Sequence, residues 1–210
     1  MSIDVSTHPS KRARERVLDL ARQGGIVITP RDTAAVGVHS EVLTRMTRAG
    51  ELERIGPGRY RLSSANVTEN HDLVLAAASV PAAVICLLSA LRFHNIGTQL
   101  PHQVWIAVPR GTRVPHLSFP PLRVVRISPS MFSQGIERHR LEGHAVRVYS
   151  LARTVADCFR FRNTIGLDVA LEALKEAWRS GRLNLDELHR VAKQLRVNRV
   201  MQPYLETIVL

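Results

Sequence analysis

Apolar positions recur at helical spacing through the first fifty residues and then give way to short alternating strips. SKRARERVLDLARQGG (10–25) sets Ala13, Val17, Leu18 and Ala21 on one side, with Lys11, Arg12, Arg14 and Arg16 near its start, and a double glycine stops it. ITPRDTAAVG (28–37) offers Thr29 as N-cap, Pro30 at the first helical position and Asp32 in the first turn, and Gly37 ends it. VHSEVLTRMTRAGE (38–51) predicts a third helix closed by Gly50. Projected at about 100° per residue, its Val38, Val42, Leu43, Met46 and Ala49 fall on one arc. Ser40, Thr44 and Arg48 lie opposite, flanked by Glu41, Arg45 and Thr47. LERI and RYRL then read as two strands joined by Gly56-Pro57-Gly58, with Leu52, Ile55, Tyr60 and Leu62 turned back toward the helices.

The order helix, turn, helix, hairpin is that of a winged helix-turn-helix. The exposed face of its third helix combines short hydroxyl side chains with arginines. Small hydroxyls let a backbone approach a major groove, and arginine can bond a guanine edge or a phosphate. Arg54, Arg59 and Arg61 on the hairpin remain for phosphates or a minor groove.

Beyond SSANVTEN (63–70), a polar stretch read as a linker, the pattern changes. The expected domains are 1–65, the winged helix, and 66–210, a mixed α+β domain ending in a helical segment. In the second, 68–80 and 81–97 predict two apolar helices separated by Pro81. QVWIAVP (103–109), LRVVRIS (122–128) and HRLEGHAVRVYS (139–150) predict strands, with Gly143 at a hairpin turn. Helices follow over 150–162, 167–181 and 184–197, with Ser150 and Asn184 as N-caps, and a short one closes the chain. The strands are grouped rather than alternating with helices, so the class is α+β.

Charge changes the picture. Lys and Arg number 29 against 18 Asp and Glu, a formal net charge of +11. Residues 1–63 carry +4 and residues 90–162 carry +8, so the excess belongs to folded regions and not to a tail. Such a balance points to a polyanionic partner, duplex DNA first. No apolar run reaches the roughly 18 residues of a membrane span, and VPAAVICLLSAL (80–91) reads as a buried helix. Cys86 and Cys158 lie far apart and read as reduced core residues, as expected of a cytoplasmic protein. Arg110, Arg113, Arg123, Arg126 and Arg147 lie in or beside the strands and form a basic patch if they share a face.

Catalytic chemistry finds little support. Nine histidines are scattered without ligand spacing, and His94, His102 and His116 fall in or beside expected loops. There is no phosphate-binding glycine loop, and between residues 73 and 167 the acids are only Glu137, Glu142 and Asp157. A metal-dependent nuclease or nucleotidyltransferase needs clustered carboxylates. No catalytic residue, metal ligand or cofactor is therefore expected. Arg153 and Asp157, at i,i+4, read as a helix surface pair.

HSEVLTRMTRAGELERIGPGRYRL resembles the amino-terminal winged helix of the AbiEi-type antitoxins of bacterial type IV toxin–antitoxin systems. LSALRFHNIGTQLPHQVWIAVPRG and VRVYSLARTVADCFRFRNTIGLDVALEAL resemble the second domain of that family. The resemblance implies a non-enzymatic repressor of its own operon whose second domain opposes a nucleotidyltransferase-like toxin without needing to touch it. Carried over onto this chain, it implies DNA contacts from Ser40, Thr44, Arg45, Arg48 and Arg59. A nucleic-acid-acting enzyme targeted by a winged helix, or an adaptor binding nucleic acid without reading sequence, are the alternatives.

Overall fold

The computed structural model describes residues 9–24, 27–64, 68–117 and 119–209. Gly25 of the expected helix stop, and the 65/66 domain boundary within the expected linker, lie outside them. The fold is mixed α+β and divides into two compact units. One takes in the described residues as far as His71, together with those of 117–119 and 140–144; the other takes in the remainder.

In the first unit, α1 (Pro9–Gly24), α2 (Pro30–Ala35) and α3 (Glu41–Arg48) precede a hairpin of β1 (Leu52–Gly56) and β2 (Arg59–Leu62). A capping box starts α2. The Thr29 backbone N–H donates to Asp32 Oδ2 at 2.8 Å, and Thr29 Oγ1 accepts from the Asp32 N–H at 3.3 Å. The third helix is shorter than its periodicity predicts. Gly37, at φ +69°, swings the chain away, and the Val38 N–H bonds back to Thr33 O at 2.9 Å. Val38 is thus a buried anchor ahead of the helix and not part of it. At the other end, Gly50 at φ +74° closes a Schellman motif, its N–H bonding Thr47 O and the Glu51 N–H bonding Met46 O.

Val17, Ile28, Val38, Val42, Leu43, Met46 and Leu52 form this unit's core, with Tyr60 and Leu62 packed against it. Ile28 and Tyr60 exchange two backbone hydrogen bonds, of 2.7 and 2.9 Å, which adds a one-residue third strand to the hairpin. Arg14 Nε bonds Glu51 Oε2 at 2.7 Å, tying α1 to the turn before β1.

In the second unit's sheet the strand order is β5-β4-β3-β7-β6. β3 (Val84–Ile85) runs antiparallel to β4 (Val104–Pro109) and parallel to β7 (His144–Tyr149), and β4 runs parallel to β5 (Leu122–Ile127). β6 (Ile136–Leu141) and β7 are joined through Glu142 and Gly143, at φ +48° and +81°, as a two-residue hairpin turn demands. The tip of that hairpin, residues 140–144, belongs to the first unit.

The stretch expected as one helix over 81–97 is instead the central strand β3 followed by α5 (Leu87–Phe93), after α4 (His71–Ser79). A short, wholly apolar run fits a fully buried strand as well as a buried helix. Here β-branched Val84 and Ile85, pinned between β4 and β7, take the strand.

After the short α6 (Pro129–Phe132), α7 (Leu151–Arg160), α8 (Arg162–Ile165), α9 (Leu167–Arg179), α10 (Leu185–Gln194) and α11 (Asn198–Val209) complete the chain. Ser150 and Asn184 cap α7 and α10, each accepting from a backbone N–H three residues on. α7 packs against α5, α9 and α10 and is buried from Leu151 to Phe159.

The Arg153–Asp157 pair is therefore not on a surface. Arg153 is 0% exposed and Asp157 1%, with Nε donating to Oδ2 at 2.8 Å. Arg153 Nη1 also donates to Met131 O and Gln134 O, at 2.7 and 3.1 Å, and the guanidinium lies 4.3 Å from the Tyr149 ring centre. The pair thus holds the turn after α6 against α7.

Candidate nucleic-acid interface

The winged helix presents α3 with one side in the core and one side bare. Val42, Leu43 and Met46 are buried; Ser40, Glu41, Thr44, Arg45 and Arg48 are exposed. Ser40 sits at the N-cap with its hydroxyl making no capping bond. The first-turn N–H of Glu41 is taken by His39 Nδ1 at 3.3 Å. Thr47, by contrast, turns its hydroxyl onto Leu43 O at 2.7 Å. The expected reading residues Ser40, Thr44, Arg45 and Arg48 thus share the solvent side of one short helix. Glu41 lies among them, and its place there was legible from its steps of three and seven residues to Thr44 and Arg48.

The wing turn is set by Pro57 and by Gly58 at φ +62°, a conformation that favours glycine. A Cβ on Gly58 would lie 3.8 Å from Pro30 Cδ, which places the turn beside the first residue of α2. Arg54 is exposed. Arg59 is half-buried, and burial pulls its guanidinium below the ordinary arginine value.

Arg61 is held by a carboxylate and an imidazole. Its Nη2 and Nε both reach Glu53 Oε2, at 2.6 and 2.9 Å, across the register pair of the hairpin. Its Nη1 lies 2.8 Å from His71 Nε2, and His71 Nδ1 lies 2.8 Å from Glu142 Oε2. Arginine can only donate, so His71 accepts at Nε2 and donates from Nδ1 to the carboxylate. The Glu142 side chain is 1% exposed and also accepts from the Thr68 N–H and hydroxyl, each at 2.8 Å. Arg61 is thereby committed to an internal chain of polar contacts.

Burial alone would raise the Glu142 carboxyl; the hydrogen bonds from His71 and Thr68 outweigh it and hold the group below its ordinary value. A carboxyl lowered on folding contributes stability above its unfolded pKa and loses it as pH falls through the folded one. The wild type is accordingly expected to lose stability in acid, and Glu142→Gln to flatten that dependence. At neutral pH this variant should cost about 1–3 kcal/mol. Urea unfolding across a pH series checks both; an unchanged acid slope would remove Glu142 as its source.

The five arginines of the second unit do not gather on one surface. Arg123 and Arg126 are three residues apart on β5, which puts them on opposite faces. Arg123 covers the Trp105 ring at 5.5 Å, while Arg126 Nη1 bonds Thr112 O at 2.9 Å near exposed Arg110 and Arg113. Arg147, on β7, is separated from β5 by two strands and bonds Pro81 O and Ala83 O, at 2.7 and 3.2 Å. His94 is partly buried and held to Tyr149 O at 2.8 Å; His102 and His116 are exposed. Among the described residues no group of three His, Cys, Asp or Glu could hold a metal ion, and no helix is long and apolar enough to cross a membrane.

The stretch that builds this interface, from within α1 to just past β2, is also the stretch that finds a known counterpart. Residues 15–63 match the family described as transcriptional regulator, AbiEi antitoxin. The match takes in α2, α3 and both strands of the wing, the elements that carry Ser40, Thr44, Arg45, Arg48, Arg54 and Arg59. Over a longer span, the chain is similar to the crystal structure of the RV2827C protein from Mycobacterium tuberculosis. The TM-score is 0.62 at 14% identity, with 92% of this chain and 77% of that chain covered. At that identity the likeness is one of fold. No curated protein sequence matches the chain.

Proposed function

We propose that this protein is a DNA-binding transcriptional regulator of the AbiEi antitoxin kind, which represses its own operon from the cytoplasm. The observation that carries the reading is the bare side of α3, where Ser40, Thr44, Arg45 and Arg48 stand exposed beside a glycine-turned wing. Short polar groups near the helix start and arginines further along suit entry into a major groove, with base contacts from the helix and phosphate contacts from Arg54 and Arg59. The match of residues 15–63 to regulators of this family supports it. The second domain, 66–210, opposes a nucleotidyltransferase-like toxin by a route that does not require direct contact, and acts without catalysis.

A titration against duplex DNA from upstream of the protein's own gene, beside a scrambled duplex of equal length, tests the reading. The upstream duplex should bind selectively. Arg48→Ala should weaken it by about 1–3 kcal/mol and relax its sequence preference, as the loss of a base contact does. Equal, weak binding to both duplexes would leave a basic adaptor in place of a repressor. Equal losses on both in the variant would take Arg48 off the bases.

A further inference from the structure

Glu41 occupies the part of α3 where a negative charge is hardest to reconcile with DNA. At about 100° per residue, Glu41, Thr44 and Arg48 form one row on the helix, opposite the buried Val42, Leu43 and Met46. The row places Glu41 nearer the middle of the bare side than Ser40. Its side chain is exposed, and among the described residues no cation is recorded within ion-pair distance of its carboxylate. The bond from its N–H to His39 Nδ1 secures the first turn, the end of the second helix of a helix-turn-helix that meets base edges.

A carboxylate in that position repels phosphates and can only accept hydrogen bonds. In the major groove guanine presents two acceptors, and thymine an acceptor beside a methyl group. Adenine offers its N6 amine next to the N7 acceptor, whose lone pair opposes a second carboxylate oxygen. Cytosine alone offers an amine, N4, with no acceptor of its own alongside. We propose that Glu41 is a specificity-determining residue that accepts a hydrogen bond from a cytosine N4 amine in the major groove and rejects guanine and thymine at that position. The assignment rests on the DNA-reading function proposed above. Arg48, seven residues on and therefore about 10 Å further along the axis, meets a different base or phosphate.

A carboxylate in the first turn also favours the helix dipole, and Glu41 with Arg45 has the i,i+4 spacing of a surface pair. Neither role would touch base preference, so the two accounts separate in one experiment. The full chain is used to select bound duplexes from a randomised library, and the selected duplex is then titrated with its bases exchanged one at a time. Wild type should fix one position as C·G. Glu41→Ala should lose roughly tenfold discrimination there and nowhere else, while binding a scrambled duplex more tightly because a like charge is gone. Glu41→Gln should move the preference at that position to adenine, which matches a carboxamide at N6 and N7.

If Glu41→Ala keeps the wild-type preference at every position, or weakens every duplex alike, the residue only supports the helix and the assignment is overturned. A wild type that selects no motif overturns the DNA-reading function together with it, a failure distinguishable from the first.

Discussion

Arg153→Ala is expected to cost about 3–5 kcal/mol, a large part of what a domain of this size has to lose. The guanidinium is fully buried and makes four contacts at once: the Asp157 carboxylate, the Met131 carbonyl, the Gln134 carbonyl and the face of Tyr149. Truncation leaves the Asp157 charge without its partner and two carbonyls without a donor, in a helix enclosed on all sides. Burial already pushes the Asp157 carboxyl upward against the pull of Arg153, and removing the arginine lets that push act unopposed by it. A carboxyl raised on folding gives stability below its unfolded pKa and loses it as pH rises through the folded one. The variant should therefore recover part of its loss on acidification. Replacing both partners, Arg153→Met with Asp157→Leu, removes the charge as well as its partner and should cost far less than the single change. Urea unfolding of the three proteins decides it: a double variant no more stable than Arg153→Ala would mean that the contacts to Met131 and Gln134, not the ion pair, carry the effect.

Nothing in the sequence distinguishes that pair from one on a surface. An arginine four residues before an aspartate looks the same in both settings, and burial is decided by α5, α9 and α10, which pack from other parts of the chain. The same reason hid β3. Val84 and Ile85 sit in an apolar run with no period to choose strand from helix, and only pairing to β4 and β7 chooses. Local chemistry was legible where it is self-contained. The Thr29 N-cap, the Gly50 stop and the Gly56-Pro57-Gly58 turn are each fixed by neighbouring residues, and all three stand as read. Ile28 was missed as a strand because a single bridged residue has no pattern. Arg61 looked available from its place in RYRL; its ties to Glu53 and His71 depend on a hairpin register and on a residue ten positions away. The opposite facing of Arg123 and Arg126, in contrast, was present in their odd spacing from the outset.

Affinity for the operator is expected to fall with salt, and the slope counts the phosphates that arginines neutralise. Arg45 and Arg48 on α3 serve the bases in the proposed complex, and Arg54 and Arg59 on the wing serve phosphates, while Arg61 is paired with Glu53. Each phosphate neutralised releases condensed counterions, so two give a log–log slope of about −1.8 and a loss of roughly 12-fold between about 50 and about 200 mM monovalent salt. Arg59→Ala should reduce the slope by about one and weaken selected and scrambled duplexes alike, because a phosphate contact carries no sequence information. Arg61→Ala should leave the slope where it is and instead lower the unfolding midpoint, since its charge serves Glu53 and His71. Titrations at four salt concentrations separate these outcomes. A slope near zero would mean that binding does not run through the winged helix's arginines at all. A slope reduced by Arg61→Ala as much as by Arg59→Ala would mean that DNA breaks the Glu53 pair on binding, and that the wing rearranges to present its third arginine.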